Sequence, residues 1–158
     1  MDPARGQFLL PVLSNSCKVP EDAISIWAPE GSAGMGTESG AQQPWPWPDE
    51  LDAMVAAPAF HRNLFENDLV RYLEVIIRPG DFVPVHTHRW PSVIYVRSTS
   101  EFIRRDGEGR VMFDSRTAGA PPRTPAVEWV GPLPPHSIEN VGTSEVHLLT
   151  VELKQGKA

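Results

Sequence analysis

The stretch PGDFVPVHTHRWPSVIYV, residues 79 to 96, decides how this chain is read. A Pro-Gly turn opens it and an apolar, β-branched run closes it. Between them, His86 and His88 stand one residue apart. In an extended strand, residues i and i+2 share a face and lie roughly 6.5 Å apart. Two imidazoles at that distance can converge on one metal ion at about 2.0–2.1 Å per bond. Pro84 and Pro91 favour extended backbone around the pair. Two nitrogens do not complete a site, so the reading turns on what the rest of the chain brings to them.

The flanking sequence reads as β-structure. LVRYLEVIIRPG (69–80), SVIYVR (92–97), EFIRR (101–105), RVMFDS (110–115), VEWV (127–130) and EVHLLTVELK (145–154) are predicted strands. Asp106, Gly107 and Gly109 predict a hairpin turn. Short strands with frequent turns indicate a barrel or sandwich. Strands such as VIIR and VIYV are apolar on both faces, so one face would line the barrel and the other would pack on a second sheet or a partner subunit. PDELDAMVAAPAF is the best helix candidate, with acids in its first turn and Pro58 at its end. The expected division is an irregular, Pro/Gly-rich extension over residues 1–48 and a β-barrel domain over residues 49–158. FLLPVL and AISIW are apolar patches in the extension that can dock on the domain or on a second subunit.

Composition bounds the partners. Fourteen Lys and Arg against 20 Asp and Glu give a net charge of −6, with no long basic run. Nucleic acid and anionic membrane are therefore not expected partners. No apolar run is long enough to cross a bilayer. FLLPVL is too short for a secretory leader and is broken by Pro11, and SNSC is a poor lipidation site. The lone Cys17 excludes an internal disulfide. The expectation is a soluble, cytoplasmic protein.

A third histidine, His136, lies in GPLPPHSIEN, behind two prolines and before Asn140. Prolines fix the backbone ahead of it and Asn140 suits a turn, so His136 can be held rigidly on a neighbouring strand. PGDFVPVHTH followed by PPHSIEN resembles the two motifs of the cupin superfamily. Gly80, His86 and His88 match the first motif, and His136 and Asn140 match the second with the right separation. The resemblance covers about residues 65 to 154. It implies a small all-β jelly-roll barrel, usually a homodimer, with one divalent transition metal (Fe, Zn, Ni or Mn) held by His86, His88 and His136.

The departures are as informative as the matches. The family's glutamate position falls on Ser92, its closing glycine on Thr99, and the Pro-x-Gly of the second motif reads Gly131-Pro132-Leu133. Ser92 shares the parity of the two histidines, but a neutral hydroxyl is a poor ligand; it can hydrogen-bond a water at the site instead. Three neutral ligands leave the ion open positions, as a catalytic metal requires. Some cupin thiol dioxygenases resemble this three-histidine arrangement. The sequence therefore predicts a metal-dependent, dioxygenase-like enzyme acting on a small polar metabolite. The alternative is a non-catalytic cupin that binds a small ligand or senses it. Trp90, Tyr95 and Arg104 join Ser92 as expected pocket residues. Tyr72 is a further candidate, and Arg71, Arg97 and Arg104 are candidate carboxylate clamps. Glu74, Glu101 and Glu128 are candidates for the missing acid. His61 and His147 carry no motif and read as structural or surface residues.

Overall fold

The computed structural model describes residues 45–118 and 124–154. Nearly all of the expected extension, with Cys17, FLLPVL and AISIW, lies outside the described residues. A 3-10 turn, Asp49–Leu51, leads into a single helical turn, α1 (Ala53–Ala56). Nine strands follow among the described residues. They are β1 (His61–Glu66), β2 (Val70–Ile77), β3 (Phe82–His88), β4 (Ser92–Ser98), β5 (Phe102–Asp106), β6 (Val111–Asp114), β7 (Ala126–Val130), β8 (Leu133–Asn140) and β9 (Val146–Leu153). They form two antiparallel sheets, one in the order β1-β2-β9-β4-β7 and the other in the order β3-β8-β5-β6. This is a small jelly roll: the strand pattern predicts a barrel or sandwich, and the family resemblance implies the jelly roll.

The expected helix is broken at its centre. Asp52 takes an extended conformation (φ −54°, ψ 138°), so the 3-10 turn and α1 remain separate. Its carboxylate has two tasks that a helical residue could not combine. It caps Met54 N at 2.9 Å and receives both terminal nitrogens of Arg71. The backbone of Asp52 also bridges to Thr87, which docks this segment against β3.

Strict alternation sets the barrel interior. In β2, Arg71, Leu73, Val75 and Ile77 are buried; in β4, Ser92, Ile94 and Val96; in β9, Val146, Leu148, Thr150 and Glu152. Register aligns Arg71, Glu152 and Ser92 across three strands, so one end of the inner face is polar. The other end is apolar and packs with Val83, Phe102 and Ile138 of the second sheet.

Asn140 holds the turns at the far end. Its side-chain amide donates to the carbonyls of Ile77 and Ser144, both at 2.8 Å, and its oxygen accepts from Gly142 N. Gly80, with φ 81°, makes the adjoining turn and donates its N–H to Asn140 O. The motif asparagine and glycine thus clamp the β2–β3 connection to the β8–β9 connection.

Candidate metal centre

β3 and β8 bring the motif histidines together. His86 lies directly across from His136, with irregular register on both sides of the pair. The cause is local: Pro84, Pro134 and Pro135 have no N–H to give the ladder. The freed carbonyls are used by the histidines. His86 Nδ1 donates to Pro84 O and His136 Nδ1 donates to Pro134 O, each at 2.8 Å. Ring centroids of His86 and His136 are 4.3 Å apart, and those of His86 and His88 are 5.1 Å apart.

A fourth imidazole belongs to this cluster, and it corrects the reading of His61 as a residue outside the site. His61 begins β1 and is buried. Its ring centroid is 4.9 Å from that of His86 and 5.3 Å from that of His88. His61 Nδ1 donates to Ala57 O at 3.0 Å, so the end of α1 aims the ring. The histidines whose ring nitrogens all come within 4.8 Å of one another are His61, His86 and His88. His136 stands beside them, its centroid 5.8 Å from that of His88. No motif spacing announces His61, because it lies on a strand formed before the motif begins.

All four rings share one arrangement. His88 Nδ1 donates to Glu152 Oε1 at 2.7 Å, so each Nδ1 is engaged by a fixed oxygen acceptor. Each ring then keeps its Nε2 lone pair for an ion. Burial first, and the neighbouring imidazoles second, lower the pKa of His61 to about 4 and that of His136 to about 3. His86 is lowered well below its ordinary value, by burial and then by His136 and His88. These rings are neutral near neutral pH, as metal ligation requires. The donor set fits a divalent ion.

Behind His88 runs a chain of charges. The buried Glu152 bonds His88 through one oxygen and Arg71 Nε through the other, at 2.5 Å. Burial alone would raise the pKa of Glu152, but the bonds from His88 and Arg71 hold it below the ordinary carboxylate value. Burial also works against the Arg71 charge, and Asp52 and Glu152 more than offset it.

The cavity over the cluster measures about 30 Å³. The four histidines, Ser92 and Thr150 form its polar part, and Val75, Ile94 and Leu148 are among its apolar walls. Ser92 is thus on the cavity wall. Tyr95 is not: odd positions of β4 face outward, and its side chain is 41% exposed. Tyr72 has the outward parity of β2. Trp90 does not line the cavity; its ring stacks with the cations of Arg71, Arg89 and Lys154. Arg71 is held by Asp52 and Glu152, Arg97 is exposed, and Arg104 is buried beside His136 in a second cavity. None of the suggested acids reaches the cluster. Glu74 pairs with Arg62 and His147 on the outer face, Glu101 is exposed, and Glu128 does not line the cavity.

Neither protein-family models nor curated protein sequences give a match to this chain. Among solved structures, it is similar to a cupin domain from Bordetella pertussis, with 18% identity and a TM-score of 0.49 over 60% of this chain and 92% of that one. An RmlC-like cupin from Methanocaldococcus jannaschii has 11% identity and a TM-score of 0.43, over 59% of this chain and 77% of that one. A predicted oxalate decarboxylase from Thermotoga maritima has 21% identity and a TM-score of 0.38 over the same shares. No helix among the described residues is long and apolar enough to cross a membrane.

Proposed function

We propose that this protein is a metal-dependent cupin in which His61, His86 and His88 hold one divalent transition metal, with His136 beside them. We further propose that it acts on a small metabolite by dioxygenase-like chemistry. The observation that carries this reading is the shared arrangement of four buried imidazoles, each with Nδ1 engaged and Nε2 left for an ion. A bound ion would supply Lewis acidity and a meeting point for substrate and oxygen. The chain's own residues do the rest. Ala57 O, Pro84 O, Pro134 O and Glu152 fix the ring orientations. Val75, Ile94 and Leu148 give the cavity apolar walls, and the hydroxyls of Ser92 and Thr150 offer hydrogen bonds within it.

An all-imidazole set suits iron, zinc and nickel. Manganese, which favours carboxylate oxygens, fits least well where Ser92 has replaced the acid. Metal analysis of protein purified without a histidine tag tests the site. The expected result is close to one ion per chain, lost in His86→Ala and in His61→Ala. Iron-loaded protein should then consume oxygen with a member of a panel of thiols, diketones and hydroxy acids. Stoichiometric metal with no turnover across that panel would favour the ligand-binding reading.

A further inference from the structure

One carboxylate stands behind two of the histidines. Asp52 Oδ1 accepts from Met54 N at 2.9 Å and from Arg71 Nη1 at 2.8 Å, and Asp52 Oδ2 accepts from Arg71 Nη2 at 3.0 Å. Two routes lead from it to the cluster. The first passes through buried side chains. Arg71 Nε donates to Glu152 at 2.5 Å, and Glu152 accepts from His88 Nδ1 at 2.7 Å. The second follows α1. The Asp52 carbonyl accepts from Val55 N and Ala56 N, both at 2.8 Å, and Ala57 N closes the turn on Ala53 O at 3.0 Å. The turn delivers Ala57 O to His61 Nδ1, at 3.0 Å.

We propose that Asp52 is a positioning residue that sets the rings of His61 and His88 relative to one another, His61 through α1 and His88 through Arg71 and Glu152. The two rings need a common reference because they come from different sheets. β1 carries His61 at the edge of the five-stranded sheet, and β3 carries His88 at the edge of the four-stranded one. Their centroids nevertheless lie 5.3 Å apart. The Asp52 backbone bridges to Thr87, the residue before His88, so the same residue also touches β3 directly. Both routes are stiff. A guanidinium is a planar fork, so Arg71 fixes Glu152 relative to Asp52. Ala53 and Ala57 are 0% and 1% exposed, which pins both ends of α1 to the barrel. A single helical turn does not hold itself in water, so its conformation depends on its cap and its packing. Zinc affinity enters the test through the reading of the cluster as a metal centre; the ring orientations do not depend on that reading.

Asp52→Asn separates the two routes. Asparagine caps a helix about as well as aspartate, but it offers Arg71 no charged, two-oxygen partner. Long-range proton–nitrogen spectra of the imidazoles in the metal-stripped full chain read both rings without any ion. Asp52→Asn should shift the ring nitrogens of His88 and leave those of His61 in place, and Asp52→Ala should shift both. Zinc affinity, measured against a chromophoric chelator, should fall several-fold in Asp52→Asn and at least about tenfold in Asp52→Ala. In a His61→Ala background the two Asp52 variants should weaken zinc equally, because the α1 route then ends on no ring. A lower urea midpoint in Asp52→Ala with both rings unmoved would make Asp52 merely structural and overturn the proposal. Equal shifts of His61 and His88 in Asp52→Asn would overturn the two routes. If Asp52→Ala does not fold, Asp52→Asn decides: an unmoved His88 ring with unchanged zinc affinity overturns the proposal. Shifted rings in a protein that takes up no zinc would leave Asp52 as the positioning residue and remove the metal reading.

Discussion

Glu152 bonds His88 through one carboxylate oxygen at 2.7 Å and Arg71 through the other at 2.5 Å. The acid that cupin motifs place at the Ser92 position is absent as a ligand, yet a carboxylate stands one bond further out, behind an imidazole. It sits opposite Ser92 in the β4–β9 register. A carboxylate there fixes the His88 tautomer and raises its basicity. Arg71 holds that carboxylate in turn, and Asp52, which accepts from Arg71 and caps Met54 N, ties the cluster to the start of α1.

Glu152→Gln should therefore act on two properties at once. Residues that support a metal-ligating histidine typically change metal affinity by about 10–100-fold when replaced, so zinc affinity should fall in that range. Arg71 would keep Asp52 but lose its fully buried partner, and breaking such a pair costs about 3–5 kcal/mol. Competition with a chromophoric chelator measures the first effect and urea unfolding measures the second. Unchanged affinity in a folded variant would show that His88 needs no support from this side.

His61 divides the three-histidine motif reading from the structural one. His61→Ala should lower zinc affinity by at least about tenfold, comparably to His86→Ala, whereas a purely structural His61 would leave affinity intact. His61→Ala combined with Ser92→Glu should recover part of the affinity, because Ser92 lines the same cavity and a carboxylate there would supply a donor in place of the lost imidazole. Isothermal titration of the single and double variants checks both outcomes.

Much of this arrangement is legible in the sequence, and the reasons for the gaps are physical. His86 and His88 declare themselves by period-2 spacing, and His136 by the prolines that precede it. Inward parity places Ser92 on the cavity wall. His61 is silent because its role comes from register alone: it lies opposite Val75 in β2, and nothing in its neighbours signals a site. Glu152 is equally silent, since an acid in an amphipathic strand reads as solvent-facing until the buried Arg71 beside it is known. Tyr95 shows the limit of a run apolar on both faces, where parity has to be fixed by a neighbour; Ser92 faces inward, so Tyr95 faces out. The helix reading failed at Asp52, where tertiary bonds to Arg71 outweighed the local propensity to continue.

Metal-stripped protein should lose stability as the pH falls below neutrality. His61 and His136 have folded-state pKa values of about 4 and about 3, against an ordinary value of 6.5. Between those values and 6.5 the unfolded chain binds protons that the folded chain refuses, so stability falls as pH falls. Well inside that window each ring contributes a slope of about 1.4 kcal/mol per pH unit, and His86 acts in the same direction. Above 6.5 these groups contribute no pH dependence. Urea midpoints measured from pH 7.5 to 4.5 should show this decline, and it should be shallower in His61→Asn. A flat profile would contradict neutral buried rings. Bound zinc should shift the decline to lower pH, because protons must then displace the ion.

The outer face of the five-stranded sheet predicts a homodimer. Register sets Phe65, Tyr72, Val151, Val93 and Trp129 side by side across all five strands. Tyr95 and Val127 extend the apolar surface on β4 and β7. Trp129 is 59% exposed and Val127 is 68% exposed. A contiguous apolar patch of this kind marks an association surface, and it lies on the face directed away from the histidine cluster. Light scattering should give twice the 17.5 kDa chain mass. Trp129→Glu together with Val93→Glu should give the single-chain mass. Metal content should be unchanged, because neither side chain lines either cavity. Loss of metal on dissociation would mean that the sheet needs its partner to hold β4 and β9, and Ser92 with them, in place. A single-chain mass for the unaltered protein would refute the dimer, and the apolar row would then need another partner to cover it.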